Sequence, residues 1–490
     1  MASRVARVRR SGSDAPTLPR GFEFGVATSA YQIEGAWDVD GRGPSVWDTF
    51  SQTLGKVLGD VPGNDGVRHY ERMDSDVGLL RWLGVDSYRF SISWSRILPD
   101  GVGTLNQRGV DFYRRLLDRL EDAGISPSIT LYHWDLPQAL EDRGGWRSRD
   151  VQFWFAEYAQ RAFEQFGRYT PRWATLNEPI ANWVGYGLGV FAPGYRDELG
   201  GRAAMHNALL AHGQAVRAFR AAGSPGEIGI VVDVWPRSAV QPTPERLRQV
   251  REEEADSYEA FLNPLFRGDY STFQRERWGS QGTLPEIGPD DLALIGEPID
   301  FFGLNVYNRV YIDGAPTEGD DDSTDVVAGN FLDNGHFYDP SVAYEVLMML
   351  KNDYRLSVPI YVTENGSANC NEDVVAGRIH DGDRIAYVRS FLEEISRAVA
   401  DGVDVRGYSL WSFLDNYEWS SAYSQRYGII HVDLDSFERV PKDSAYWYRE
   451  IVRARSLNLP PGEQHTEAAQ AEPKDTTTGH KADGGTPQPG

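Results

Sequence analysis

Short runs rich in β-branched and aromatic residues recur along this chain, and between them the apolar positions fall into helical spacing. The runs are FEFGVATS from Phe22, VDSYRFSIS from Val85, ISPSITLYH from Ile125, RWATLNE from Arg172, EIGIVVDV from Glu227, IDFFGLN from Ile299, VPIYVTEN from Val358 and VRGYSLWS from Val405. Runs of this length and composition read as strands of a parallel sheet, buried on both faces. Among the intervening segments, one begins at Asn106, which reads as an N-cap. It places Val110, Tyr113, Leu117 and Leu120 on one face and stops at Gly124. A second, residues 151–167, follows Asp150 and repeats Trp154, Tyr158, Ala162 and Phe166 at every fourth position. Eight strand–helix alternations in roughly 430 residues predict an α/β fold, a single (β/α)8 TIM barrel with long βα loops.

The ends of the chain break the pattern. Residues 458–490 carry no aromatic or β-branched aliphatic side chain and are rich in Pro, Gly, Thr and charge, the composition of a disordered tail. Residues 1–17 are expected to be disordered too, leaving residues 18–457 as the barrel. The first ten residues hold four arginines, but no apolar stretch follows them, so they are not expected to act as an export signal. No linker divides the middle of the chain, and no internal repeat of about 20–50 residues is visible. A doubly wound open sheet is the alternative. Against it, neither a G-x-G-x-x-G nor a G-x-x-x-x-G-K-[ST] element follows the first strand to hold a nucleotide.

Charge and cysteine content narrow the partners. A formal net charge of −23 argues against nucleic acid or an anionic membrane, leaving a small or neutral ligand. No run of about eighteen apolar residues offers a membrane span. The single cysteine, Cys370, excludes an internal disulfide and any multi-cysteine metal site, and reads as a bystander on the loop after the seventh strand. The expected location is cytoplasmic, and a homo-oligomer stays open.

The chemistry concentrates where strands end, which in a parallel barrel is the mouth that carries the active site. The first strand leads into TSAYQIEGAW, the third ends LYHWDLP, the fourth TLNEP, the sixth GLNVY, the seventh TENG and the eighth LWSFLDNYEW. An isolated Asn or Glu at a strand end is usually turn or capping chemistry; a whole set at one mouth is not. Glu178 and Glu364 then face each other as the carboxyl pair that glycoside hydrolysis requires. Arg89 is either a structural ion pair or the cation that keeps Glu364 ionised, whereas Asn177 adds no charge beside Glu178. That contrast makes Glu364 the nucleophile and Glu178 the acid/base, with ~5 Å between carboxyls in a retaining site. Gln32, His133, Asn177 and Glu418 are suited to sugar hydroxyls, and Trp411 and Trp419 to an aromatic wall. His133 is expected to be a neutral hydrogen-bonding residue and not a metal ligand. Most of the 14 tryptophans, Trp82 and Trp154 among them, are expected in the core.

In family order, FEFGVATSAYQIEGAW, GRGPSVWDTF, YRFSISWSRI, LYHWDLP, TLNEP, TENG and SFLDNYEW make the chain resemble glycoside hydrolase family 1, in particular its bacterial β-glucosidases, over residues 18–457. The resemblance implies a (β/α)8 barrel that hydrolyses β-glycosides such as cellobiose with retention, without cofactor or metal. It places the acid/base at Glu178 and the nucleophile at Glu364. It also implies sugar contacts from Gln32, His133, Asn177, Trp411, Glu418 and Trp419. Arg89 and Tyr307 would position the nucleophile, and Asn305 would order the acid/base side. Ile180, Val306, Ser420, Ala422 and Tyr427 depart from common family residues at the rim, which leaves leaving-group preference open. Two rivals stand beside this expectation. A 6-phosphoglycosidase would meet repulsion from Glu418, and a non-catalytic sugar binder would be expected to have lost one of the two carboxylates.

Overall fold

The structure, a computed structural model, describes residues 18–313, 337–368 and 372–457. Both terminal segments expected to be disordered, and Cys370, lie outside the described residues. All eight expected strands form: β1 (Glu23–Ala27), β2 (Ser87–Ser91), β3 (Ser126–Tyr132), β4 (Arg172–Asn177), β5 (Glu227–Asp233), β6 (Phe301–Asn305), β7 (Ile360–Asn365) and β8 (Val405–Trp411). They pair in parallel and in sequence order, and β8 returns to β1 to close the barrel. Closure removes every sheet edge, and helices cover the outside, so each strand is buried on both faces.

The connections are asymmetric. The helix Gln107–Ala123 ends at Gly124, whose φ of +69° turns the chain so that β3 begins two residues later. Loops on the opposite side are long: residues 28–68 after β1, and residues 412–442 after β8, which carry a small hairpin of Ile430–Val432 and Arg439–Pro441. Spare chain is therefore collected at the mouth. At the other end, Arg172 crosses the barrel to hold both Glu23 oxygens at 3.0 Å and lies over the Tyr361 ring at 3.7 Å, closing the floor.

Two local expectations are corrected. Asn106 does precede the helix, but its side chain caps nothing. Its amide donates to the carbonyls of Asp40 (2.8 Å) and Arg96 (2.9 Å), tying the loop after β1 to the segment after β2. Trp82 and Trp154 are only partly buried, each with an arginine over its ring, because they lie on the outer helices. The fully buried indoles are Trp47, Trp94, Trp146, Trp173 and Trp278. No helix among the described residues is long and apolar enough to cross a membrane.

Candidate active site

Glu364 lies near the end of β7 and is buried. Its Oε1 accepts from Arg89 Nη1 at 2.5 Å and its Oε2 from the Tyr307 hydroxyl at 2.9 Å. Both oxygens thus face donors. Tyr307 stays protonated as that donor, since burial and the charges of Glu364 and Glu178 raise its hydroxyl well above the ordinary range. Arg89 reaches the site because β2 pairs directly with β1 and β3, and its side chain crosses the barrel interior.

From Arg89 a chain of amides runs to the other carboxyl. Arg89 Nη2 donates to Asn177 Oδ1 (2.7 Å), which also accepts from Asn305 Nδ2 (3.1 Å); the same Asn305 nitrogen donates to Glu178 Oε1 at 2.6 Å. Thr363 Oγ1 donates to Asn305 Oδ1 (2.7 Å), so the orientation of that amide is determined. Glu178 adopts φ +45°, a left-handed conformation uncommon for a residue with a side chain. Burial raises its carboxyl well above the usual range, and the charges of Asp233 and Glu364 add to this against the Asn305 hydrogen bond and Arg89. The two glutamates therefore differ: one is clamped by donors, the other has its proton affinity raised by burial.

His133 follows from the same chain. Because Arg89 can only donate, Asn177 presents its oxygen there and its nitrogen to His133 Nε2, at 3.2 Å. The imidazole therefore accepts at Nε2 and carries its proton on Nδ1, which has no partner among the described residues. Burial, with help from Arg89, holds the ring neutral by lowering its pKa well below the ordinary value. The ring lies nearly parallel to Trp411 and Trp419, at centroid distances of 5.8 and 5.9 Å. Trp419 is backed by Tyr31, Trp47 and Trp134.

Gln32 and Glu418 form a second polar cluster. Gln32 Nε2 donates to Glu418 Oε2 (3.1 Å) and Asn416 Oδ1 (3.0 Å), and its Oε1 accepts from Ser29 at 2.6 Å. Burial, with the charge of Glu364, pushes Glu418 up to about 8 despite the Gln32 hydrogen bond. The raised pKa weakens the repulsion of a sugar phosphate expected from Glu418. What opposes a phosphate is the cost of burying it beside Gln32, Asn416 and Trp419, none of which is a cation.

Gly366, the glycine of TENG, has a steric reason. A Cβ there would stand 1.7 Å from the carbonyl oxygen of Trp411, so only glycine lets β7 leave the sheet past the end of β8. Among the rim departures, Ala422 has φ +50°, a conformation in which glycine is at ease. Glu372, Asp415 and His431 approach one another as metal ligands would. Lys442 Nζ already bonds both carboxylates, 2.8 Å from Asp415 and in short contact with Glu372, and Arg384 is also paired with Glu372; the group is an ion-pair network.

All the expected site residues thus gather at one mouth. Asp233, at the end of β5, was not among them, although EIGIVVDV carries an acid at its strand end as the fourth and seventh strands do. Asn416 and Thr363, which orient Gln32 and Asn305, were missed because their partners lie on other segments of the chain.

Known proteins share this architecture. The family model described as "Glycosyl hydrolase family 1" matches residues 14–457. β-Glucosidase A of Acetivibrio thermocellus is 40% identical over 444 residues, covering 89% of this chain and 98% of the relative. β-Glucosidase A of Thermotoga maritima is 42% identical over 451 residues, covering 90% and 98%. A solved structure of a Thermotoga maritima β-glucosidase in complex with glucoimidazole superposes with a TM-score of 0.83 at 41% identity, covering 90% of this chain and all of that one. The mouth of this barrel, with its paired carboxyls on β7 and after β4, is therefore that of a chain that belongs to glycosyl hydrolase family 1.

Proposed function

We propose that the chain is a retaining β-glucosidase that removes terminal non-reducing β-D-glucosyl residues from cello-oligosaccharides and from aryl and alkyl β-glucosides. The observation that carries this is the divided environment of the two carboxyls. Glu364, held by Arg89 and Tyr307, is set up as a nucleophile. Glu178, pushed to higher pKa and oriented by Asn305, is set up as an acid.

Glu364 attacks the anomeric carbon as the bond to the leaving oxygen breaks, and Glu178 gives that oxygen its proton. The covalent α-glycosyl-enzyme is then hydrolysed by a water that Glu178, now ionised, deprotonates. Gln32, His133, Asn177 and Glu418 hold the hydroxyls of the non-reducing sugar against Trp411 and Trp419; Asn305 and Tyr307 touch it from the side of the carboxyls. Gln32 and Glu418 each offer an acceptor for a 4-hydroxyl in either orientation, so β-galactosidase and β-fucosidase side activity accompanies the main one.

Proton NMR of cellobiose hydrolysis is the test. β-Glucose should be the first anomer released, with α-glucose appearing only by mutarotation; α-glucose first would overturn the assignment. The pH dependence follows from the same carboxyls. Glu178 must be protonated in the first step and its pKa is raised, so kcat/KM should fall only at a pH well above the ordinary carboxylate range. Gly366→Ala should lower kcat/KM on an aryl β-glucoside by about 10²-fold, because the added methyl displaces Trp411 or the end of β7. Unchanged kinetics would show that the loop accommodates it.

A further inference from the structure

Asp233 is the last residue of β5. Two residues earlier, Val231 packs inside the barrel with Ala174 and Phe301, while Ile230, Val232 and Val234 belong to the outer core. Side chains alternate along a strand, so Asp233 points inward, one step above Val231, at the mouth. Asp233 is in register with Asn305, and Asn305 with Glu364, which sets three polar side chains at one level on three adjacent strands. Glu178 is fastened to the same strand, since its N–H donates to the carbonyl of Val231 at 3.0 Å. Asp233 keeps some exposure as a residue, but its Oδ1 is buried and accepts no hydrogen bond among the described residues. Glu364, which accepts from Arg89 and Tyr307, offers it no donor.

We propose that Asp233 is a positioning residue for the proton of the first step, a third carboxyl whose negative charge keeps that proton on Glu178. This rests on Glu178 being the acid of the proposed reaction. The charged and titratable groups that act with Asp233 are Arg237 on its own loop, Glu364 on β7 and Glu178 after β4. Arg237 is shared with Glu253 (3.7 Å) and the carbonyl of Trp235, so it does not neutralise Asp233 alone. Burial raises Asp233 to about 7, with its own backbone N–H and then Arg237 opposing and Glu364 adding. After burial, its charge is the largest influence on Glu178, ahead of Glu364. Two neighbouring carboxyls that both titrate high behave as a pair, and removing the charge of one lets the other release its proton earlier.

The experiment compares pH profiles of kcat/KM for the wild type and Asp233→Asn, with an alkyl β-glucoside and with 2,4-dinitrophenyl β-glucoside. With the alkyl substrate the basic limb should move to lower pH by about 0.5–1 unit in the variant. With the dinitrophenyl substrate, whose leaving group needs no proton, that limb should not move. Asp233→Ser should reproduce the shift if the amide variant folds poorly, and Asp233→Glu should restore the wild-type limb. An unmoved basic limb with the alkyl substrate, or an equal shift with both, would overturn the inference. A wild type that turns over no β-glucoside would instead sink the assignment of the site, and this inference with it.

Discussion

Glu364→Gly should lower kcat on every β-glucoside by at least about 10⁴-fold, equivalent to roughly 5.5 kcal/mol of barrier. Among the described residues no other group stands where Glu364 does, because Arg89 and Tyr307 converge on its two oxygens and leave no second carboxylate in that clamp. The loss should be partly reversed by small anions. Removing the side chain vacates the space beside Arg89, and azide or formate placed there attacks the anomeric carbon from the face Glu364 used. Azide should give the α-glycosyl azide, identified by NMR. No rescue, or a β-product, would mean that Glu364 is not the nucleophile.

Glu178→Ala should separate substrates by their leaving groups. Cellobiose and alkyl glucosides, whose leaving oxygen needs a proton, should lose about 10²–10⁴-fold in kcat/KM. Dinitrophenyl glucosides should still form the glycosyl-enzyme at nearly the normal rate. The second step then lacks its base, so dinitrophenolate should appear in a burst followed by slow turnover. Azide should accelerate that turnover and yield the β-glycosyl azide. A uniform loss on both substrate classes would assign Glu178 to binding, and exchanged anomers between the two variants would exchange the two roles.

The barrel was legible in the sequence because each of its strands is buried on both faces. Burial on both faces leaves short β-branched and aromatic runs with turns between them, and all eight runs became strands. The two glutamates were legible for a related reason: a charged residue at the end of such a run has somewhere to go only if it reaches a mouth. Local pattern reached less far where a side chain had a choice of partners. Asn106 has the composition of a cap, yet its amide is turned to the carbonyls of Asp40, in the loop after β1, and Arg96, in the short helix after β2, instead of the helix N-terminus.

By itself, then, the sequence determined the strands, their ends and the acids that stand there, since these follow from periodicity and from where polarity interrupts it. Only the tertiary structure decided where the protons sit. The tautomer of His133 is dictated by Asn177, whose orientation is dictated by Arg89 from a strand 88 residues away. Glu418 sits near 8 because of burial and Glu364, and Asp233 acts on Glu178 because two parallel strands bring them together. Proton affinity depends on desolvation and on charges a few ångströms off, and both are created when the chain closes into a barrel.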